Sequence, residues 1–433
     1  MKTRIQLTHA LPHLARAVIS ALAIFSIAAP GVFAQARYLI TDLGTLGGST
    51  SHALGINNSG QIVGESYTND ADVLTTHAFL YSGGVMTDLG TLGGTSGANG
   101  INDQGQVAGW SNTTATNDQT HAFLWSALTR MIDLGTLGGS MSIAYGINNN
   151  GQVVGVSTTS NEVEHAFLYS AGTMSDLNSL VPTNAGWVLA SAAAINDRGE
   201  IAGIGISNGW SQAFLYSGGV VTYLGVLQAS SNSSRAYGLN TIGQVVGFST
   251  IPGSFMNTHA FLYSGGQMTD LGDLGGAGSF ALGINNQAQV VGWSATTNNP
   301  FPAVEHPFLY SGGKLADLWG LLAANSTWPE GRATGINDTG WIAGYGQNLS
   351  AYVHAFLLAP LPSLGITRSG QNVLLSWPTN ATGFALFENS DLATTNWTEV
   401  LIPPLVTNGQ YQVSLPILPG SRQFYRLQSP PSG

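Results

Sequence analysis

Short apolar segments alternate with polar ones along most of the chain, and the alternation has a period of two rather than 3.6. In one stretch, apolar runs at 98–102, 106–111, 121–126 and 131–134 are separated by residues rich in Gly, Asn, Asp and Ser. Short apolar segments bounded by such turn formers are typical of β-hairpins. We therefore predict a unit of four short strands without a helix.

This unit recurs at a nearly fixed interval. The stretch His-Ala-Phe-Leu-Tyr-Ser returns, sometimes altered, after 44, 44, 47, 47, 47 and 48 residues. Its first positions are His77, His121, His165, Gln212, His259, His306 and His354. A period of this size indicates one supersecondary unit that is stacked many times.

The order of strands in the array predicts a closed ring. A strand with Asp-Leu-Gly or a variant of it ends each unit, yet the array begins with such a strand at 38–44 and lacks one after residue 358. The first strand can therefore complete the last unit, which suits a ring of four-stranded blades. We predict an all-β fold, a seven-bladed β-propeller over residues 36–360 that is closed by the N-terminal strand. An open β-solenoid is the alternative, but it does not need the out-of-phase first strand.

The repeat stops after Pro362, and a second module follows. Five or so predicted strands occupy residues 363–429. The sequences Leu-Ser-Trp-Pro at 375–378 and Phe-Tyr-Arg-Leu at 424–427 resemble the fibronectin type III-like modules of secreted bacterial proteins. That resemblance implies a small β-sandwich with Trp377 in its core.

The N-terminal residues predict export. Lys2, Arg4 and Arg16 accompany an apolar stretch at 17–29, and Val-Phe-Ala at 32–34 suits a cleavage site. We predict a signal peptide over residues 1–34, cut after Ala34, and a secreted, extracellular or periplasmic product. The apolar stretch is too short to span a bilayer, so no membrane insertion is predicted. There are no cysteines, and stability must come from the core and from ring closure.

The charge pattern excludes several partners. Only 8% of residues are charged, against roughly a quarter in ordinary soluble proteins. A net charge of −10 without basic clusters argues against nucleic acid and anionic membranes. No nucleophile elbow, phosphate-binding glycine loop or calcium-loop spacing occurs. We therefore predict a monomer with no catalytic residues, no metal and no cofactor.

The repeated histidines invite a metal hypothesis, which their geometry disfavours. In a propeller they lie on a wide circle, too far apart to share one metal at about 2 Å. We interpret them as structural, each tying a loop to its own blade or the next by a hydrogen bond. This interpretation applies to His77, His121, His165, His259, His306 and His354.

The repeat resembles the HAF-repeat family of extracellular repeat proteins. The resemblance rests on His-Ala-Phe-Leu-Tyr-Ser, on Asp-Leu-Gly-Thr-Leu-Gly-Gly at 42–48, 88–94 and 133–139, and on Gly-Ile-Asn-x-x-Gly-Gln-Val. It covers some three quarters of the chain and implies an extracellular location but almost no mechanism. Gln212 and the His-Pro-Phe variant at 306–308 depart from the pattern, so no family role of this histidine needs every copy.

Positions that vary between repeats are candidates for binding. The residue after the glycine of the second strand varies most, and Trp110, Trp293 and Tyr345 are its large aromatic members. They suit either stacking on a sugar or peptide or packing between blades. Two long loops at 178–192 and 319–333 carry Trp187 and Trp328, and these suit either recognition or a hydrophobic cap.

These observations lead to one functional expectation and two alternatives. We expect a non-catalytic protein that recognises a carbohydrate or a protein through the long-loop face of the propeller. A polysaccharide-active enzyme, lyase or hydrolase, is one alternative, and it requires carboxylates, or Tyr with Arg or His, converging at the central channel. A purely structural cell-envelope protein is the other. The sequence does not name the ligand.

Overall fold

The structure is a computed structural model that describes residues 38–69, 75–114, 119–181, 186–252, 257–276, 278–296, 304–322, 328–379, 384–418, 420 and 422–428. The predicted signal peptide at 1–34 lies outside these residues, as do 182–185 and 323–327 of the two long loops. No helix in the described residues is long and apolar enough to cross a membrane.

The regular secondary structure of the described residues is β-strand, apart from 3₁₀ turns at Leu177–Leu180 and Trp319–Leu321. The propeller strands are, in chain order, β1 (Tyr38–Asp42), β2 (Ser51–Ile56), β3 (Ile62–Tyr67), β4 (Thr76–Ser82), β5 (Val85–Asp88), β6 (Ser96–Ile101), β7 (Val107–Asn112), β8 (Thr120–Ser126), β9 (Arg130–Asp133), β10 (Gly138–Ile147), β11 (Val153–Thr159), β12 (Glu164–Ser170), β13 (Thr173–Asp176), β14 (Val188–Ile195), β15 (Ile201–Ser207), β16 (Trp210–Ser217), β17 (Val220–Gly225), β18 (Ser234–Leu239), β19 (Val245–Thr250), β20 (Thr258–Ser264), β21 (Gln267–Asp270), β22 (Ser279–Ile284), β23 (Val290–Ala295), β24 (Glu305–Ser311), β25 (Lys314–Asp317), β26 (Gly331–Ile336), β27 (Ile342–Gln347) and β28 (Val353–Pro360).

These strands form antiparallel sets of four in chain order. We number the sets as blades: β2–β5 is blade 1, β6–β9 blade 2, β10–β13 blade 3, β14–β17 blade 4, β18–β21 blade 5 and β22–β25 blade 6. A single parallel bridge, Met141 to Thr120, joins blades 2 and 3 into one sheet. Blade 7 has the order β1-β28-β27-β26, so its fourth strand comes from the start of the array. The predicted all-β propeller closed by the N-terminal strand is confirmed.

The core lies between neighbouring blades. Each third strand contributes a fully buried phenylalanine, and these are Phe79, Phe123, Phe167, Phe214, Phe261, Phe308 and Phe356. The glycine of each second strand permits this packing. A Cβ atom at Gly64 would lie 1.8 Å from the carbonyl oxygen of His52 and 2.9 Å from the ring of Phe79. Any larger residue there would force the first and third strands apart.

The first strands line a central channel, and each carries a one-residue bulge. In β10 the bulge falls at Tyr145 and in β18 at Tyr237, where the register with the second strand shifts. A bulge leaves one residue unpaired and redirects its side chain. Both tyrosines accordingly line the axial cavity of about 200 Å³.

A ring of buried asparagines closes the circle at one end of this channel. The seven asparagines follow the first strands, and the side-chain Nδ2 of each donates to the backbone oxygen of its counterpart in the next blade at 2.9–3.2 Å. They are Asn57, Asn102, Asn148, Asn196, Asn240, Asn285 and Asn337. The last donates to the first, so the hydrogen bonds run once around the axis.

The C-terminal residues form two further sheets. Their strands are β29 (Gly365–Ser369), β30 (Asn372–Pro378), β31 (Ala385–Asn389), β32 (Thr398–Glu399), β33 (Leu405–Thr407), β34 (Gln410–Pro416) and β35 (Phe424–Gln428). One sheet has the order β29-β30-β34-β33 and the other β32-β31-β35. Trp377 is buried in the cluster that they share with Leu375, Leu386 and Val413. The fibronectin type III-like assignment and the boundaries at 363 and 429 stay predictions.

Candidate functional site

The repeated histidines occupy equivalent positions outside the channel. Each is the second residue of a third strand and contacts the aspartate of the neighbouring fourth strand through Nδ1 at 2.7–2.8 Å. The pairs are His77–Asp88, His121–Asp133, His165–Asp176, His259–Asp270, His306–Asp317 and His354–Asp42. The last pair joins the two ends of the array. Blade 4 lacks both partners, because it carries Gln212 and Tyr223 at these positions.

In most of these pairs the aspartate also fixes a turn. Asp88, for example, accepts the backbone N–H of Gly90 at 2.7 Å through its other oxygen. No group of three or more His, Asp or Glu residues suited to a metal ion is found in the part of the chain that the structure describes. These contacts assign each histidine a partner within the scaffold.

The pair His259–Asp270 predicts a pH dependence of stability. Its hydrogen bond with Asp270 raises the pKa of His259 above the ordinary 6.5. Burial acts to raise the pKa of Asp270, but the bonds from His259 and Gly272 lower it below 3.8. The pair therefore stabilises the fold most between about pH 4 and 6.5, and it weakens as pH rises through the folded pKa of His259 or falls through that of Asp270.

We expect His259→Gln to lower the free energy of unfolding at pH 5.5 by at most about 1 kcal/mol, since the two side chains are 21% and 41% exposed. At pH 8.5 the loss should be smaller. Urea unfolding at both pH values measures the difference, and Gln212→Ala in blade 4 serves as the control without an ion pair. An equal loss at both pH values would contradict the charged pair.

A second set of side chains lies at the mouth of the channel, on the face that carries the loops before the first strands. We call it the channel-mouth arc, and its residues are Phe248, Phe280, Trp293, Arg332, Tyr345, His52 and Glu65. Three of them are the second residue of the first strand of a blade. The other four lie opposite this position on the second strand of a blade. The blades are 5, 6, 7 and 1. All seven are half-buried.

The apolar end of the arc consists of stacked rings. The ring centroids of Phe248 and Phe280 are 4.6 Å apart, and those of Phe280 and Trp293 are 4.4 Å apart with nearly parallel planes. The guanidinium of Arg332 lies 4.5 Å above the Trp293 ring. Such contacts hold each ring in one orientation.

The polar end contains ionisable side chains. The Tyr345 ring meets the His52 ring edge-on at 4.5 Å, and Tyr345 lies directly opposite Arg332 in the pairing of β26 with β27. His52 Nδ1 lies 3.1 Å from a carboxylate oxygen of Glu65. The arrangement places an imidazole, a carboxylate and a phenol side by side at the junction of blades 7 and 1.

Arg332 is fixed by Glu305 through two parallel hydrogen bonds, one of 2.9 Å from Nη2. Burial acts to lower the pKa of Arg332, but Glu305 and Tyr345 outweigh it and raise the pKa above its usual range. The guanidinium charge is therefore compensated within the protein, and Arg332 acts as a rigid support for Tyr345.

The aromatic residues predicted from the sequence fall into two groups. Trp293 and Tyr345 belong to the channel-mouth arc, and the indole of Trp110 covers Gly97 next to the Glu65 carboxylate. Trp187 instead stacks on Tyr223 at 4.2 Å. Trp328 packs against Trp319 and Phe356 at 6.2 and 5.5 Å. Both long-loop tryptophans are thus engaged in packing.

Sequence reasoning missed His52, Phe280 and Arg332. The sequence does contain a signal for them. They occupy a variable position of the repeat, which follows a small residue and precedes an alanine that is the same in every repeat. That position holds His52, Gly97, Ile143, Ser191, Arg235, Phe280 and Arg332. The variable residues of the first strands are paired with the variable residues of the second strands, and together they form the channel-mouth arc.

No protein-family model matches the chain, and no curated protein matches it. An acylaminoacyl peptidase of Pyrococcus horikoshii is similar in structure, with 10% identity and a TM-score of 0.41 over 76% of this chain and 57% of that one. A puromycin-hydrolysing peptidase of Mycobacterium tuberculosis has 10% identity and a TM-score of 0.44 over 79% and 61%. The propeller domain of the Trilobed protease from Pyrococcus furiosus has 6% identity and a TM-score of 0.36 over 76% and 91%.

The prediction of a non-catalytic protein that recognises a carbohydrate or a protein through its long-loop face is wrong. The three propeller structures named above come from peptidases, not from binding proteins. The similarity itself indicates the propeller fold alone, because the identities do not exceed 10% for these structures. The chain spans about 57–61% of the two peptidase chains, and their activity is not transferred to it.

Proposed function

We propose that this chain is an exported propeller enzyme that cleaves a polysaccharide at the channel-mouth arc. The observation that carries the proposal is the contact of His52 with Tyr345 across the junction of blades 7 and 1, with Arg332 paired opposite Tyr345 in blade 7. Tyrosine with arginine and histidine at the channel is the constellation that the enzyme alternative requires.

Hydrolysis of a glycosidic bond needs one group that takes a proton from the attacking water, as its oxygen bonds the anomeric carbon, and one that protonates the leaving oxygen. His52 and Tyr345 supply two such groups at adjacent positions. Glu65 accepts a hydrogen bond from the His52 ring when Nδ1 carries the proton, which leaves Nε2 as the basic nitrogen. In this arrangement Glu65 orients His52, and Arg332 orients Tyr345.

The stacked rings of the arc suit a sugar chain. The exposed parts of Phe248, Phe280 and Trp293 form half-buried apolar surface along the channel mouth, against which the C–H groups of a sugar can pack. The rings adjoin the acid–base groups through Arg332. A polymer that lies along the arc therefore reaches His52 and Tyr345 with its neighbouring units held on the rings.

The proposal is tested with the mature protein and a panel of neutral and acidic polysaccharides, with release of reducing ends as the readout. We expect His52→Gln and Tyr345→Phe each to lower kcat by about 10²–10⁴-fold, the usual contribution of a general acid or base. His77→Gln is the matched control, because it removes a histidine of the same chain outside the channel.

Two outcomes would contradict the proposal. One is a wild-type protein that releases no reducing ends from any polymer, a result that a purely structural protein would give. The other is full activity in both arc variants. Thermal unfolding of every variant identifies losses of activity that come from misfolding.

A further inference from the structure

We infer that the channel mouth holds a carboxylate-binding subsite at Arg235, and that the polymer cleaved at the arc carries uronate groups. The part of this inference that concerns the polymer rests on the proposed function. The carboxylate-binding subsite rests on Arg235 and its neighbours instead. Arg235 is the second residue of β18, the channel-lining strand of blade 5. It therefore occupies the position that Arg332 and His52 occupy in blades 7 and 1.

Arg235 differs from Arg332 in its partners. Arg332 is half-buried and paired with Glu305 in two hydrogen bonds. Arg235 is exposed, and among the described residues no carboxylate forms an ion pair with it. Its charge is thus available to a ligand, and a guanidinium binds a carboxylate with two parallel hydrogen bonds.

The surroundings of Arg235 place this charge at the channel. Tyr237, two residues further along β18, lines the axial cavity of about 200 Å³. The ring of Tyr237 lies 5.9 Å from Phe248, the first ring of the channel-mouth arc, and Arg235 is paired with Phe248 across β18 and β19. A sugar that packs against Phe248 therefore comes within reach of the Arg235 guanidinium.

The charges around the site favour one position for an anion. Tyr145 of blade 3 lines the same cavity as Tyr237, and burial together with the carboxylate of Glu164 raises its pKa. The positive charge of Arg235 attracts a ligand carboxylate toward blade 5. Since the whole protein has a net charge of −10, nonspecific attraction does not bring an anion to this mouth.

The subsite is tested by calorimetric titration with D-glucuronate as the probe. We expect Arg235→Gln to weaken binding by about tenfold or more and Arg235→Lys to restore part of it. The uncharged methyl ester should bind weakly to all variants. Arg198→Gln, which removes an arginine paired with Glu200 elsewhere, is the control and should bind as the wild type does.

If no polymer is cleaved but glucuronate binding still depends on Arg235, the proposed function fails and the subsite stands. Equal affinity of wild type and Arg235→Gln for glucuronate would overturn the subsite. Equally tight binding of an acidic tripeptide would overturn the uronate assignment in favour of a peptide ligand.

Cleavage assays complete the test of the substrate class. Polygalacturonate and its methyl-esterified form differ in charge but share one backbone. We expect Arg235→Gln to raise KM for the acidic form with little change for the ester, whereas a loss of the same size on both forms would assign Arg235 a purely structural role.

Discussion

A variant in which a Gly/Ser linker of equal length replaces residues 36–44 should lose its cooperative thermal transition or unfold at a much lower temperature. The replaced segment contains β1, which pairs with β28 over five residues from Tyr38–Pro360 to Asp42–Phe356. Tyr38 and Leu43 are buried, with 2% and 6% exposure. Their burial alone is worth about 4 kcal/mol, and the free energy of unfolding of a domain is typically only about 5–15 kcal/mol.

The loss is larger than these two side chains suggest, because β1 supplies the fourth strand of blade 7. Its removal also breaks the pair His354–Asp42 and the bond from the Ser51 hydroxyl to the oxygen of Gly44. The bare edge of β28 is then open to pairing with other chains. We therefore expect aggregation as well as a lower Tm.

Circular dichroism during heating and size-exclusion chromatography measure both effects. A synthetic peptide of residues 36–46, added in excess, should restore part of the lost Tm because it supplies the missing strand. Asp42→Asn in the intact chain is the matched control and should cost little, since an exposed pair contributes at most about 1 kcal/mol. A linker variant that melts at the wild-type temperature would show that closure by β1 is dispensable.

The fold could be predicted from the sequence because the same structural unit is repeated many times along the chain. The out-of-phase strand at 38–44 implied the pairing of β1 with β28 that the structure has. The roles of single polar residues were harder to read. Gln212 and Tyr223 each depart from the repeat, but only the geometry shows that they replace the two partners of one hydrogen bond in the same blade.

The candidate site was predicted only in part, for a geometric reason. Trp293 and Tyr345 stood out because large aromatic residues are conspicuous within a repeat. Their place in the candidate site depends on contacts with Arg332 and His52, which lie on neighbouring first strands. Contacts between blades join residues that are distant in sequence or belong to different repeats. No pattern within one repeat indicates which of them meet.

The ring of buried asparagines predicts that the loss of a single side-chain amide lowers the free energy of unfolding strongly. We expect Asn57→Ala to lower the free energy of unfolding by about 3 kcal/mol, because four hydrogen bonds are lost at about 1 kcal/mol each and part of the loss is relieved by relaxation. Asn57 Nδ2 donates to the side chain of Gln61 and to the oxygen of Asn102 in the next blade, at 2.8 and 2.9 Å. Its Oδ1 accepts the backbone N–H groups of Ser59 and Gln61 at 3.1 and 2.9 Å.

Ser59→Ala in the same turn is the matched control, since Ser59 is exposed and bonds Asn57 only through its backbone. Urea unfolding of both variants measures the difference. Asn57→Asp separates the two functions of the side chain: the carboxylate still accepts the turn N–H groups but no longer donates to Asn102. If the bond between blades matters more than the turn, Asn57→Asp should lose nearly as much stability as Asn57→Ala. A variant Asn57→Asp as stable as the wild type would show instead that the turn carries the effect and that the amide ring around the axis contributes little.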